Sequence, residues 1–483
     1  MHKIEFSQEI KSFIKDFVKN IQANDAAIFA GAGLSRKAGY ANWAELLAEI
    51  AEDLGLDIKK ENDLISLAQF HVNKNQNNDK IKRKILEEFS DIEEPTEDHK
   101  ILAKLPITTY WTTNYDNLIE ESLKQEFKKP DVKYTIKQLT TTLPRRSATV
   151  YKMHGDVNHP SDAILTKEHF EQYPLKYAPF ITALNGDLVA KTFLFIGFSF
   201  TDPNLNYVLS RLHFRFDSDA RQHYCFVKRV IEKDYESNAD FEYSKRKQEL
   251  TIQDLLRYKI KALLIDDYSD ITHILKEIEN HYRKKTIFIS GSAEVYADMG
   301  RETSQKFVHI LSKKLIQEGY RIVNGFGWGI GSGIINGALD GIYEKPDKFS
   351  EDQLIIRPFP QFPTGKKDIS ELWEEYRQRM IQLAGISIFL FGNKKDESGN
   401  IINANGVKRE FEISLEKGLI PIAVGITGYI AKELWNEIKE NNIYERFGKN
   451  EEIEKLFESL NEKELGTDQL VENIIKLIKL LNK

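Results

Sequence analysis

Cysteine is almost absent from this chain of 483 residues, in which Cys225 is the only one. A single cysteine excludes a disulfide within the chain and any zinc site built from several cysteines. Long apolar runs are also lacking, since nowhere do eighteen apolar residues stand together and the residues after Met1 contain no apolar core of signal-peptide length. We therefore expect a soluble, cytoplasmic protein that does not span a membrane.

A strong excess of one charge is lacking as well. The chain has 68 Lys and Arg against 74 Asp and Glu, a net charge of -6. This balance gives no overall attraction to nucleic acid or to an anionic membrane, although it leaves room for a local basic patch. Nucleic acid is therefore not an expected partner. The length favours two or three domains.

Short apolar runs alternate with helical patterns along the chain, which is typical of a doubly wound parallel sheet. The first part predicts strands near residues 26–30, 107–111, 149–153, 192–196, 223–227 and 261–265. After a charged helix at 271–285, the second part predicts strands near 286–290, 321–324, 353–356, 386–391 and 420–424. The polar stretch 73–80 is expected to be an exposed loop. We predict two Rossmann-like α/β domains in tandem, residues 1–283 and 284–483.

Polar motifs follow four predicted strands of the first domain, where doubly wound sheets bind their ligands. Gly31 and Gly33 would let the backbone approach a diphosphate at the start of a helix, and an ordinary turn is the alternative. Asn114 is expected to hydrogen-bond a ribose hydroxyl or to position a water. The alternative is that it caps the next helix. His154, directly before Gly155, is predicted to act as a general base, because the reference pKa of imidazole lies close to neutral pH. A purely structural role is the alternative.

Together these motifs resemble the divergent sirtuin-like domains of bacterial anti-phage systems over residues 10–280. The resemblance rests on Gly-Ala-Gly-Leu-Ser at 31–35, Thr-Thr-Asn-Tyr-Asp at 112–116, His-Gly at 154–155 and Gly-Phe-Ser-Phe-Thr-Asp-Pro at 197–203. It implies NAD cleavage with Asn114 and His154 as catalytic residues, and it places Ser199 and Asp202 near the adenosine half of NAD. The full set of implied NAD-binding residues is Ala30, Gly31, Ala32, Gly33, Ser35, Asn114, Asp116, Gly197, Ser199 and Asp202. For Asp116, a helix cap or a solvated position is the alternative.

The chain departs from the sirtuin protein deacylases at two points. Deacylases carry a Phe and an Arg after the first loop, where this chain has Gly-Tyr-Ala-Asn-Trp at 39–43. They also carry a four-cysteine zinc ribbon, which Cys225 alone cannot provide. These departures put deacylation in doubt. NAD cleavage needs no metal, no cofactor and no covalent nucleophile, because nicotinamide is a cationic leaving group that mainly requires alignment and charge stabilisation.

A glycine cluster and several cations follow the predicted strands of the second domain. Residues 324–333 contain five glycines in ten positions, which favours backbone wrapped around phosphate over a flexible loop. Arg and Lys suit phosphates and Glu suits ribose hydroxyls, although any one of them alone could be a solvated surface charge. The predicted ligand-binding residues are Gly291, Ser292, Gly327, Gly329, Gly331, Gly333, Arg379, Lys395 and Glu410. The sequence gives little basis for choosing Arg379 over Arg377, or Lys395 over Lys394, as the residue that faces the ligand.

This second half resembles the SLOG ligand-sensing family. It lacks the Pro-Gly-Gly-x-Gly-Thr loop and the catalytic Glu of the related phosphoribohydrolases, which favours sensing over catalysis. The tandem is similar to the NADase effectors of Thoeris anti-phage defence. That resemblance implies an NAD hydrolase activated by a cyclic ADP-ribose isomer, of unspecified linkage, that a partner with a TIR domain makes.

The resemblance also implies a homotetramer or a larger assembly. The alternatives for the whole chain are a sirtuin-type deacylase and a non-catalytic module that binds nucleotides or nucleic acid.

Overall fold

The computed structural model describes residues 5–90, 93–216, 220–363, 365, 367–447 and 450–482. Contacts within the chain divide it into two units, Met1–Glu279 and Asn280–Lys483. The division falls inside the helix Ser269–Arg283, whose last residue directly precedes the boundary that we placed after residue 283. Among the helices of the described ranges, none is both long and apolar enough to cross a membrane.

The first unit is built on one parallel sheet. Its strands are β1 Ala26–Ala30, β2 Thr109–Thr112, β3 Pro130–Lys133, β4 Ala148–Lys152, β5 Thr192–Ile196, β6 His223–Lys228 and β7 Ile260–Ile265. They pair in the order β3-β4-β2-β1-β5-β6-β7, so the strand order switches direction between β1 and β5. Every residue of β1 and β5 is buried, because helices cover both faces of the sheet. The predicted doubly wound α/β fold is confirmed.

Fourteen described α-helices, some of a single turn, surround or extend this sheet. They are α1 Gln8–Gln22, α2 Ala32–Ser35, α3 Trp43–Leu46, α4 Ala48–Leu54, α5 Leu64–Asn75, α6 Asp79–Phe89, α7 Glu97–Lys104, α8 Leu118–Gln125, α9 Ile136–Leu139, α10 Lys167–Lys176, α11 Ala178–Ala190, α12 Pro203–Phe216, α13 Asn238–Arg257 and α14 Ser269–Arg283. The expected loop at 73–80 is wrong over most of its length, because α5 runs to Asn75 and α6 begins at Asp79. Residues 73–77 are exposed, so no apolar spacing marked them as helical.

The second unit has a smaller parallel sheet of five strands. Its strands are β8 Thr286–Ser292, β9 Arg321–Asn324, β10 Leu354–Ile356, β11 Ile386–Phe391 and β14 Ile420–Ala423, with a separate antiparallel hairpin of β12 Asn393–Lys395 and β13 Ile401–Asn403. The sheet order is β10-β9-β8-β11-β14, with its switch between β8 and β11. Its helices are α15 Arg301–Gln317, α16 Gly331–Tyr343, α17 Ile369–Ile381, α18 Asn405–Glu416, α19 Tyr429–Glu440, α20 Glu451–Ser459 and α21 Thr467–Leu481. β3 and the β12–β13 hairpin were not predicted.

Candidate functional site

The predicted motifs of the first unit meet at one edge of its sheet. They follow β1, β2, β4 and β5, which are neighbours in the order β4-β2-β1-β5. Parallel strands end at the same edge, so the four loops come together at the switch in strand order, where α/β sheets bind ligands.

The loops after β1 and β5 pack against each other through three glycines. A Cβ on Gly33 would lie 2.7 Å from the Cα of Gly197, and a Cβ on Gly31 would clash with the carbonyl oxygen of Gly197. The N–H groups of Gly31 and Gly33 donate to the carbonyl oxygens of Ile196 and Gly197, both at 2.9 Å. The N–H groups of these two glycines, where we expected the backbone to approach a diphosphate, are therefore engaged within the protein. In this conformation the glycines serve the close packing of the two loops.

Asn114 lies in a buried hydrogen-bond network. Its Nδ2 donates to the carbonyl oxygen of Gly31 and to Oγ of Ser35, both at 3.1 Å. Ser35 in turn donates to Oδ2 of Asp116 at 2.8 Å, and Oδ1 of Asp116 accepts from the N–H of Leu118 at 3.0 Å. Asp116 thus accepts the first N–H of α8, whose N-cap is Asn117, and the interpretation of Asn114 as the cap of this helix is wrong. The network engages the amide nitrogen of Asn114 and so fixes the direction of its amide oxygen.

His154 follows β4 and lies beside Asp202. Its Nε2 is 3.0 Å from Oδ2 of Asp202, a hydrogen-bond distance with imperfect alignment of the N–H. The imidazole ring is 3% exposed and meets the ring of Phe170 edge to face, with 5.1 Å between centroids. The structure therefore places Asp202 next to the proposed base, whereas the resemblance had placed it near the adenosine half of NAD.

The Asp202 carboxyl is held in its charged form. Burial by itself raises the pKa of Asp202, but His154 and the N–H groups of Leu205 and Asn204 outweigh burial and leave the pKa below its usual value. Oδ1 accepts from the N–H of Leu205 at 2.8 Å, in the first turn of α12.

Lys152 is a residue of this site that sequence reasoning missed. It is fully buried at the end of β4, and its Nζ donates to the carbonyl oxygens of Tyr115 and Asp116 at 3.0 and 2.7 Å. Nζ also lies 2.6 Å from the carboxylate of Asp156. A lysine so placed fixes the loop that carries Asn114. The only signal in the sequence was a charged residue at the end of an apolar strand, directly before Met153 and His154.

The cavity at Asn114 is small. It measures about 50 Å³ and is lined by Ala32, Ser35, Tyr40, Ala41, Asn42, Trp43, Leu46, Phe89, Thr113, Asn114, Tyr115 and Asp116. Pockets that hold drug-sized ligands measure roughly 300–1,000 Å³. The rings of Tyr40 and Phe89, 5.2 Å apart, separate this cavity from a larger one of about 600 Å³ that they also line. The cavity at Asn114 is therefore closed to a dinucleotide in this conformation.

Two other residues predicted to bind NAD lie at the margins of the site. Ala30 is buried at the end of β1, where its carbonyl oxygen accepts from Oγ1 of Thr112 at 3.0 Å. Ser199 is exposed after β5, with its Oγ 2.8 Å from Oγ1 of Thr201.

The second unit contains a much larger cavity at the switch of its own sheet. It measures about 1370 Å³, and its lining includes the predicted residues Gly291, Ser292, Gly327, Gly329, Gly331 and Glu410. Glu410 is buried, accepts from Oγ of Ser290 at 2.5 Å and lies 3.6 Å from Nε of Arg377. Burial raises the pKa of Glu410, and Ser290 and Arg377 oppose this rise.

Three predicted residues of this set lie away from the cavity, and neighbours take the place of two of them. Arg377, not Arg379, lines it, because residues two positions apart on a helix point in nearly opposite directions. Lys394, not Lys395, lines it, since adjacent strand residues face opposite sides; Lys395 pairs with Glu294 at 2.7 Å. Gly333 is buried, where a Cβ would lie 3.0 Å from Oε1 of Gln305.

Three helices begin at this cavity without a side-chain cap. The first turns of α15, α16 and α18 contribute Arg301, Gly331 with Ser332, and Asn405 with Gly406 to its lining. The free N–H groups of a helix start attract anions. With Arg377 and Lys394, this arrangement gives a cavity suited to a ligand that carries several negative charges.

Comparisons with known proteins match each unit to a family. Residues 108–252 match the SIR2-like domain family, and residues 270–481 match the Sir2- and TIR-associating SLOG family. Both matches agree with the resemblances drawn from the motifs.

Several relatives are similar over nearly the whole chain. NAD(+) hydrolase ThsA of Bacillus cereus (strain MSX-D12) is 51% identical, with 98% of each chain covered. NAD(+) hydrolase ThsA of Acinetobacter baumannii (strain 532279) is 46% identical, covering 99% of this chain and 100% of the relative. NAD(+) hydrolase ThsA of Enterococcus faecium is 43% identical, covering 97% of this chain and 98% of the relative.

Proposed function

Because this chain belongs to the ThsA family of NAD(+) hydrolases, we propose that its first unit hydrolyses NAD and that a cyclic ADP-ribose isomer, bound in its second unit, switches this reaction on. The observation that carries the catalytic part is the placement of Asn114 and His154. Both are buried, and they follow β2 and β4, which are adjacent strands that end at the same edge.

The proposed reaction uses these two side chains without a covalent intermediate. The bond between the nicotinamide nitrogen and C1′ of the ribose breaks, and its electron pair returns to the ring, which leaves as neutral nicotinamide. Water attacks C1′ and gives its proton to His154, so ADP-ribose is the second product. Asn114, with its amide fixed by Gly31 and Ser35, holds the ribose or the attacking water in line.

The sizes of the two cavities support control by the second unit. The cavity at Asn114, about 50 Å³, is too small for NAD, whereas the cavity at Arg377, about 1370 Å³, can hold a dinucleotide-sized ligand. A ligand raises activity only by binding the active arrangement better than the resting one. In our proposal the closed cavity at Asn114 belongs to the resting arrangement, and the activator favours one in which NAD enters.

The wider setting of this reaction is also part of the proposal. A partner with a TIR domain makes the cyclic nucleotide on infection, and the chain acts in the cytoplasm as a homotetramer or a larger assembly that depletes NAD in anti-phage defence. Two pieces of evidence support this setting: the match of residues 270–481 to a family that associates with Sir2 and TIR domains, and the anion-binding character of the second cavity.

An assay with two substrates tests the reaction type. The purified full-length chain is incubated with NAD alone and with NAD plus an acylated peptide, and nicotinamide and peptide are quantified. We expect nicotinamide release without a peptide and no deacylated peptide. Peptide-dependent release would support a deacylase, and no release under any condition would support a non-catalytic nucleotide-binding module.

Asn114→Ala is expected to lower NAD turnover by about 10²-fold or more, a loss typical of removing one positioned polar group. Two hydrogen bonds are lost, so unfolding free energy should fall by about 1–3 kcal/mol. Nicotinamide release and thermal unfolding are measured side by side. Asn185→Ala is the control, because the Asn185 amide donates to the carbonyl oxygen of Ile181 within the same helix, α11. Near-normal turnover with a large loss of stability would show that Asn114 is only structural.

Activity is expected to persist in excess chelator. Within the part of the chain that the structure describes, no three His, Cys, Asp or Glu side chains converge on a metal site. The rate of nicotinamide release is compared before and after EDTA treatment, with added zinc or magnesium as a further arm. A loss in EDTA that either metal restores would contradict the metal-free mechanism.

A further inference from the structure

We propose that Asp202 is a positioning residue that keeps the proton of His154 on Nε2, so that Nδ1 is the nitrogen that accepts the proton of the attacking water. This inference rests on the proposed function of the first unit. It assigns Asp202 a role in the rate of the reaction, whereas the sequence resemblance assigned it to binding the adenosine half of the substrate.

The carboxylate of Asp202 is fixed at both of its oxygens. Oδ1 accepts from the N–H of Leu205 at 2.8 Å, at the start of α12, and Oδ2 lies 3.0 Å from Nε2 of His154. The Asp202 side chain is 10% exposed and the His154 side chain 3% exposed, so water competes little for the contact between them. Phe170, edge to face with the imidazole, restricts its rotation. The His154 ring is thus held between a fixed carboxylate and an aromatic ring.

The protonation of this pair follows from the groups around it. A carboxylate only accepts hydrogen bonds, so a nitrogen that faces it must carry a proton. Among the described residues, the hydroxyls of Tyr115 and Tyr173 also feel the charge of Asp202, which, in addition to burial, raises the pKa of each. Burial raises the pKa of both phenols well above the ordinary value, so both are neutral at working pH. Tyr115 donates to the carbonyl oxygen of Ile164 at 2.9 Å.

When the imidazole carries a single proton, that proton therefore lies on Nε2 and the lone pair on Nδ1. A general base needs such a lone pair directed at the water. Asp202 also stabilises the imidazolium that forms when Nδ1 takes the proton, since its charge lies 3.0 Å from Nε2. A residue that acts in this way affects the chemical step and leaves substrate affinity nearly unchanged.

Asp202→Asn tests the inference because it exchanges the hydrogen-bond donor and acceptor between residue 202 and Nε2 of His154, with little change in side-chain shape. The N–H of Leu205 still needs an acceptor, so the amide oxygen of the new side chain turns to Leu205 and its NH₂ turns to Nε2 of His154. Nε2 must then accept, and the proton moves to Nδ1. In serine proteases the equivalent change lowers kcat by about 10⁴-fold. For Asp202→Asn we expect kcat to fall by at least about 10²-fold, while KM for NAD stays within about threefold.

Steady-state NAD hydrolysis is measured with the full-length chain, under the condition that gives the highest wild-type rate. Asp202→Glu, which restores the charge, should recover part of the lost kcat. Asp202→Ser keeps an acceptor for Leu205 without a charge and should lose kcat as Asn does, which covers the case in which the Asn variant fails to fold. Asp63→Asn is the matched control, since Asp63 is likewise an aspartate that accepts from a helix N–H, here that of Ser66 at the start of α5.

A normal kcat with a raised KM in Asp202→Asn would overturn the inference and support a substrate-binding role. Equal rates for the Glu and Ser variants would also overturn it, because the charge would then be irrelevant. A wild-type chain that does not hydrolyse NAD would instead refute the proposed function itself, so the two failures are distinguishable.

Discussion

His154→Ala is expected to lower the rate of NAD cleavage by about 10²–10⁴-fold, the range that loss of a general base produces. His154 lies at the carboxyl edge of the sheet, after β4, and the adjacent strand β2 leads into the loop that carries Asn114. Its removal takes away the group that accepts the proton of the attacking water. Nicotinamide release by the full-length variant measures the effect, in parallel with wild type.

His213→Ala is the control for this experiment, because His213 lies on α12 and contacts Tyr258 and Phe214. It should turn over NAD at nearly the wild-type rate. His154→Gln keeps a polar group beside Asp202 and should be inactive too. A folded His154→Ala variant that keeps more than about a tenth of wild-type turnover would refute the assignment of His154 as the base.

Arg377→Ala is expected to remove the response to the cyclic nucleotide without damaging the catalytic unit. The Arg377 guanidinium lies over Gly406 at the start of α18, and its Nε is buried 3.6 Å from Glu410 without a hydrogen bond. A phosphate of the ligand would complete this arrangement. Loss of a charged hydrogen bond costs about 1.5–3 kcal/mol, so affinity should fall roughly 10–100-fold.

Calorimetric titration of the full-length chain with a panel of cyclic ADP-ribose isomers measures this loss. Arg379→Ala is the matched control on the same helix, because Arg379 lies off the cavity lining and pairs with Glu375. It should bind and respond as wild type does. Equal losses in the two variants, or a loss confined to Arg379→Ala, would contradict the placement of the ligand in this cavity.

The sequence sufficed for most of the fold and for the edge where the site lies. Buried parallel strands appear as short apolar runs, and the polar residues that follow them share one edge by the geometry of the sheet. Asn114 and His154 were therefore found from their position after a strand. The strand β3, Pro130–Lys133, escaped notice because its four residues alternate between buried and half-buried and contain two charges.

Details that depend on side-chain direction could not be predicted. The choice between Arg377 and Arg379 depends on the rotation of α17 about its axis, which a short amphipathic pattern does not fix. The contact between His154 and Asp202 joins two loops 48 positions apart, from β4 and β5, which are not adjacent in the sheet. Lysine is seldom fully buried, but Lys152 is, because three oxygen acceptors and the carboxylates of Asp156 and Glu120 surround its ammonium group.

Activation of the first unit through the second is tested by one measurement. This is the rate of nicotinamide release from NAD by the full-length wild-type chain, with and without each cyclic ADP-ribose isomer. We expect nicotinamide and ADP-ribose to form in equal amounts and one isomer to raise the rate by at least about tenfold, with His154→Ala inactive throughout. A rate that no isomer changes would contradict activation through the second unit. No release of nicotinamide under any of these conditions would contradict the assignment of the chain as an NAD hydrolase.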